Sequence, residues 1–286
     1  AYEIRLSLVG SEMCIRDRVN PTPYDRGVMS CFLSGARYRL GPDPEGKGFL
    51  FKKYFYTHLS KPVDPLKHKL EQFLDVVKDY GINTTDLSFA VSINSEEKQF
   101  ADNFLSSNNI SSGDFLVHCH PVGSIAEKRW RADRMAASID YLDEIGARMV
   151  ITSSNNKDDL EQISEIKKHL KSKPIFLVGQ TTIHQVAALT ARSKLYFGLD
   201  SGVMHIAAGM GTPCVALFGS SAAIQWHPYG EQHITITDQP LDVPFVHPTP
   251  TPEDKSPFLE KLDVETVKEA LDRKLRKIEA ANFNLG

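Results

Sequence analysis

Several familiar signals are missing from this 286-residue sequence, and each absence removes a class of function. Cysteine is scarce: Cys14, Cys31, Cys119 and Cys214 lie far apart, with no CxxC pair. A disulfide framework or a zinc ribbon is therefore not written into the chain, and reduced thiols are expected. No charge dominates, since 33 basic residues face 36 acidic ones for a net charge of -3. That balance gives no electrostatic reason to expect a nucleic-acid partner. No apolar run approaches the roughly 18–20 residues of a membrane span. No GxGxxG follows a strand and no GxxxxGK[ST] occurs, which removes the dinucleotide fingerprint and the P-loop. No internal repeat and no low-complexity tract appears. What remains is a chain with 41% apolar residues, enough for a real core.

Its first part is irregular. VMSCFLSG reads as a short helix ended by Gly35, and ARYRLG alternates like a strand. Residues 42–65 read as a packed loop. HKLEQFLDVVKDYG carries Leu70, Phe73, Leu74 and Val77 on one helical face and is closed by Gly81. LSFAVSI reads as a strand, and SEEKQFADNFLSS as a helix opened by Ser95. The polar break NNISSGD is the expected domain boundary. It separates residues 19–112 from residues 113–286.

Beyond it strands and helices alternate regularly, from FLVHCHP to PCVALFG, and a long helix within DVETVKEALDRKLRKIEAA ends the pattern. Apolar strands alternating with helices imply a parallel sheet covered on both faces, an α/β fold.

The most informative stretch is FGLDSGVMHIAAGMGTPCVALFGSS, residues 197–221. A strand ends at Asp200, and Ser201 and Gly202 turn the chain into a helix of small residues. The start of such a helix presents backbone N–H groups at the carboxyl edge of the sheet, where ligands bind and anions are favoured. Gly202 admits a close approach. The next strand ends in Gly219, Ser220 and Ser221, a second small loop on the same edge. Two such loops side by side fit a diphosphate. Taken alone, DSG reads first as an N-cap and a turn, since Asp and Ser are ordinary caps.

The combination DSGxMHxAAxxGxPxxALFG resembles the signature of glycosyltransferase family 9, the bacterial ADP-heptose:lipopolysaccharide heptosyltransferases. HPVGSIAEKRW (120–130), GQTTIHQVAALTARSKLYFGLDSG and LSGARYRLG (33–41) resemble further pieces of that family. The resemblance runs from about Val19 to Leu275. It implies a GT-B fold of two Rossmann-like domains, with the carboxyl-terminal one holding a nucleotide-sugar. It also implies inverting transfer of heptose from ADP-heptose to an anionic, lipid-linked saccharide of the lipopolysaccharide core. The setting implied is cytoplasmic, at the inner face of the membrane without spanning it. No metal or other cofactor is implied, and the sequence has no Asp-x-Asp pair. A transferase of another nucleotide-sugar, or a non-catalytic nucleotide-sugar-binding module, are the alternatives.

Residue by residue, the resemblance gives Lys128 the diphosphate and the departing charge, and places Asp200 near the sugar or the turn. Gly123 and Ser124 match phosphate-touching positions. Ser201, Gly202, His205, Gly219 and Ser220 complete the donor site. Trp130 is expected to pack the following helix onto the sheet, while Trp226, His227 and Pro228 either border the base or sugar or form a plain turn. The family often carries a ribose-holding acid where this chain has TSSNNKDDLEQ, with Lys157 in its place and Asp158 and Asp159 beside it. Read from the residues alone, Lys128 is a solvated lysine beside Arg129 and Arg131, and only the resemblance reverses that; His205 is as readily a structural histidine as a phosphate donor. His118 and His120 share one strand face, but no third and fourth zinc ligand has suitable spacing. Arg26, Arg37 and Arg39 read as solvated or structural, with contact to an anionic acceptor as the alternative.

The first eighteen residues fit none of this. LVGSEMCIRD is what one reading frame of a transposase sequencing adapter encodes, so residues 1–18 are expected to be adapter-derived and are set apart from fold reasoning. The family's amino-terminal domain should open with a strand and a Gly-Asp loop carrying the general base. That pattern does not precede Val19, so the fragment is expected to be inactive as a transferase. Asp25 is the first acid after the junction, placed either to cap the VMSCFLSG helix or to face a cleft.

Overall fold

A computed structural model describes residues 16–46, 48–49, 51–88, 91–125, 128–219, 221–237 and 258–283, the side chains of 258 and 281–283 excepted. The chain divides into two compact units, residues 1–87 and 88–286. The division falls earlier than the polar break at 108–114. Helix α3 (Ser95–Ser107) belongs to the second unit, because Ala101 on it is buried in one cluster with Leu189 and Val150.

The first unit holds three parallel strands in the order β1 (Asp17–Val19), β2 (Tyr38–Pro42), β3 (His58–Ser60). Helix α1 (Asp25–Leu33) joins the first two, and α2 (Lys69–Lys78) follows the third. Val28, Cys31 and Tyr56 form its small buried cluster. Most of the adapter-like segment, residues 1–15, lies outside the described residues, while Asp17 and Arg18 pair with β2 in register. The span 42–65 is more than a loop, since it contains β3 and a 3-10 turn at Lys52–Phe55. Asp25 caps nothing. Tyr24 holds the cap position, and the Asp25 carboxylate instead pairs with the buried Lys52 ammonium at 3.0 Å. Arg39 donates to the carbonyls of Phe55 and Ala36, a structural use, and Arg37 lies over the Tyr38 ring.

The second unit follows the expected rhythm. Its strands are β4 (Leu116–His120), β5 (Arg148–Ser153), β6 (Ile175–Val178), β7 (Leu195–Leu199), β8 (Cys214–Phe218) and β9 (Ile234–Thr237). Between them run α4 (Ala132–Glu144), α5 (Lys157–His169), α6 (Ile183–Arg192), α7 (Gly202–Gly209) and the short α8 (Ala223–Trp226). Helix α9 (Val264–Phe283) ends the unit. All six strands are parallel, in the order β6-β5-β4-β7-β8-β9. Relabelled from β4 this is 3-2-1-4-5-6, the doubly wound order, whose switch point lies between β4 and β7.

Local chemistry sets the helix starts. Asn94 with Glu97, and Thr182 with Gln185, form capping boxes. The cap of α3 is thus Asn94, one residue before Ser95. Strand β9 and helix α8 were not expected from the sequence. The expected strand at 87–93 does not form at its described positions, where Ile93 instead packs beside α3; residues 89–90 lie outside the described set. Trp130 packs as expected: it is buried in the core cluster shared by α4 and α9, and its indole N–H donates to Leu262 O at 3.0 Å. Cys31, Cys119 and Cys214 are free and buried. No described helix is long and apolar enough to cross a membrane.

Candidate functional site

The switch point places two chain reversals next to each other. Strand β4 ends at His120 and runs into Pro121–Ile125; β7 ends at Leu199 and runs into Asp200 and Ser201. The two strands pair to the end of β4, His120 against Gly198. Gly198 is required there, because an added Cβ would lie 2.5 Å from the His120 carbonyl oxygen.

Asp200 is the centre of the site. Its side chain is 7% exposed and meets the Lys128 ammonium, 23% exposed, at 2.6 Å on Oδ2. The Ser221 hydroxyl donates to the same oxygen. A buried carboxylate survives because both partners donate to it, a charge-assisted arrangement. Lys128 carries three N–H donors, and the pair with Asp200 uses one.

Helix α7 starts beside this pair. Ser201 is its N-cap, extended at φ -152 and ψ 165, and its Oγ accepts from Met204 N–H. The Tyr196 hydroxyl lies 3.4 Å from that Oγ. The N–H groups of Gly202 and Val203, in the first turn, have no acceptor inside a helix. A Cβ added at Gly202 meets nothing within 4 Å, so open space lies over the helix start. This is the geometry of an anion site.

His205 is half-buried one turn further on. Burial lowers its pKa first, Lys128 and His227 lower it too, and Asp200 opposes them. It stands edge-on to Trp226, ring centroids 6.1 Å apart, so the loop after β8 closes one side of the helix start. His227 Nδ1 lies 3.0 Å from Ala223 O. Gly219 follows the end of β8 at Phe218; Ser220 lies outside the described residues.

Gly123 differs from expectation. Its N–H is taken by Gln162 Oε1 at 3.0 Å, so that donor is already spent within the protein. An added Cβ would instead lie 3.2 Å from Lys128, which makes Gly123 a packing partner of the lysine. Ser124 is exposed on the same loop. Lys157 is exposed and pairs with Glu161; Asp158 faces Arg129 at 3.6 Å; Asp159 is buried and accepts from Ser154 N–H. Burial spends Asp159 on the turn.

His118 and His120 are structural. His118 is buried, with Thr190 and Thr152 hydroxyls each 2.7 Å from one of its ring nitrogens. His120 shares Thr152 at 3.0 Å. Burial holds their pKa values near 3 and 4. Both of His118's nitrogens are occupied, which leaves none for zinc. Among the described residues no three His, Cys, Asp or Glu side chains gather to hold a metal ion.

Three participants escaped the sequence. Ser221 was read only as part of a small loop, and Tyr196 only as a strand residue. Gln162 carries no local signal, since its partner lies 39 positions away.

The family model of glycosyltransferase family 9 (heptosyltransferase) matches residues 31–247. Lipopolysaccharide heptosyltransferase 3 of Escherichia coli is 28% identical over 209 residues, covering 71% of this chain and 58% of that protein. The same enzyme of strain K12 is 31% identical over 190 residues, covering 65% and 53%. The chain thus spans less than two thirds of the length of these relatives. A solved family 9 glycosyl transferase from Veillonella parvula superposes with a TM-score of 0.66 at 26% identity, covering 77% of this chain and 62% of that one. E. coli ADP-heptose lps heptosyltransferase II superposes at 0.67 with 20% identity, covering 92% and 76%, a likeness of fold. The α/β architecture is that of the GT-B heptosyltransferases. The match covers both the strand β2 region and the whole switch point, and on it the chain belongs to glycosyltransferase family 9.

Proposed function

We propose that the second unit binds the nucleotide-sugar donor of an inverting heptosyl transfer, with ADP-heptose as donor and a lipopolysaccharide core saccharide as acceptor. The single observation that carries this reading is Lys128 held on Asp200 beside the open start of α7. A diphosphate placed there receives the N–H groups of Gly202 and Val203 and the two remaining donors of Lys128. These groups neutralise charge as the sugar–phosphate bond breaks, when the diphosphate leaves with more negative charge than it brought. The reading assigns that work to Lys128 and the helix start, with no resident cofactor.

Asp200 has two tasks in this reading. Oδ2 fixes Lys128 and Ser221, and Oδ1 accepts a hydroxyl of the transferred sugar. His205 and Trp226 border the sugar or base. The acceptor, an anionic lipid-linked saccharide, would be met at the inner face of the cytoplasmic membrane. The relatives' names as lipopolysaccharide heptosyltransferases support heptose and this acceptor class. The test is a panel of ADP-, GDP- and UDP-sugars titrated against the chain. Tightest binding of ADP-heptose supports the reading; preference for a GDP- or UDP-sugar replaces the donor.

A further inference from the structure

The loop after β4 carries Lys128, and one side chain on α5 holds that loop. Gln162 bonds both backbone polar groups of Gly123. Its Oε1 accepts the Gly123 N–H at 3.0 Å, and its Nε2 donates to the Gly123 carbonyl oxygen at 3.3 Å. A side-chain amide can do both at once through two separate atoms, whereas an ionised carboxylate lacks the donor and an ammonium lacks the acceptor. Arg129 adds a third bond, Nε to Gly123 O at 3.2 Å, and its guanidinium faces Asp158 on α5 at 3.6 Å. The Gln162 amide also returns to Asp158 O one turn back at 3.2 Å, which fixes its rotamer.

Gly123 transmits this grip directly. A Cβ on it would stand 3.2 Å from Lys128 Cβ, carbonyl carbon and carbonyl oxygen, so Lys128 packs over the bare Cα of Gly123 with no room for a side chain there. Lys128 then reaches Asp200 at 2.6 Å. The contacts run unbroken from Gln162 through Gly123 and Lys128 to Asp200.

We infer that Gln162 is a positioning residue for Lys128: it fixes where the ammonium meets the donor's diphosphate without touching the donor itself. This rests on the donor-site reading above. Freed from Gln162, the loop lets the ammonium sample positions away from Asp200, and the diphosphate must then be bound at the cost of ordering the lysine.

The test is a double-mutant cycle on the full chain, reading ADP affinity by calorimetry and folding by thermal melting. Gln162→Met keeps the length and helix propensity of the side chain and removes both bonds. The expected result is a loss of about 3- to 10-fold in ADP affinity in the native background, the range set by one or two hydrogen bonds. In the Lys128→Met background the same substitution should change ADP affinity by less than about 2-fold, because the group being positioned is gone. Equal losses in both backgrounds show a general structural role and overturn the inference, as does no loss in either. If Lys128→Met alone leaves ADP affinity unchanged, the donor-site reading fails and the inference fails with it.

Discussion

Lys128 Nζ and Asp200 Oδ2 stand 2.6 Å apart across 72 positions of sequence, at the one place where the sheet reverses its winding. Gly198 lets β4 and β7 approach, Ser201 stops β7 and starts α7, and Ser221 returns from β8 to the same oxygen. Lys128→Met should lower ADP affinity by about 10- to 100-fold, the worth of charge-assisted hydrogen bonds. Calorimetry checks it, and a change below 2-fold removes Lys128 from the site.

Gly202→Ala separates binding from stability. The added methyl meets no protein atom, and alanine is the better helix former. The melting temperature should hold or rise, with a gain of up to about 1 kcal/mol. ADP affinity should fall, because the methyl enters the space in front of the first-turn N–H groups. Parallel melting and titration curves give both answers.

Gly198→Ala should do the reverse. Its Cβ would lie 2.5 Å from the His120 carbonyl oxygen, and backbone cannot yield as a side-chain tip can. A loss of about 1–3 kcal/mol in urea unfolding is expected, the usual cost of overpacking. Unchanged stability would mean that β4 and β7 are not in this register.

Acid should destabilise the second unit through its histidines. Burial lowers His118 to about 3 and His120 and His233 to about 4, from an ordinary value of 6.5. Between those values the unfolded chain binds more protons, so stability rises with pH across that window. It is therefore lost as pH falls below about 6.5, by up to ~1.4 kcal/mol per pH unit for each neutral imidazole. Urea midpoints from pH 7 to pH 4.5 should fall steadily, and His118→Gln should flatten the slope. A midpoint independent of pH contradicts the buried neutral state.

The second unit was largely legible in the sequence. Continuous apolar strands alternated with amphipathic helices, and the turn at Asp200–Gly202 announced a helix start at a strand end. Partners set by tertiary register were not legible. Nothing in the local sequence signals that the Ser221 hydroxyl reaches Asp200, 21 positions away. Gly123 was placed on phosphate by the family resemblance alone, and nothing local signals that Gln162, from another helix, accepts its N–H. The strand expected at 87–93 had the right alternation, but alternation marks the buried side and does not supply a neighbouring strand. Strand β9, by contrast, is only Ile234–Thr237 and is made by pairing with β8.

The most direct measurement is a calorimetric comparison of ADP with adenosine on the native chain. If the start of α7 and Lys128 form a diphosphate site, ADP should bind at least tenfold more tightly than adenosine, and added salt should narrow the gap. Equal affinities, or no ADP binding, would contradict the claim that this switch point holds a nucleotide-sugar by its diphosphate.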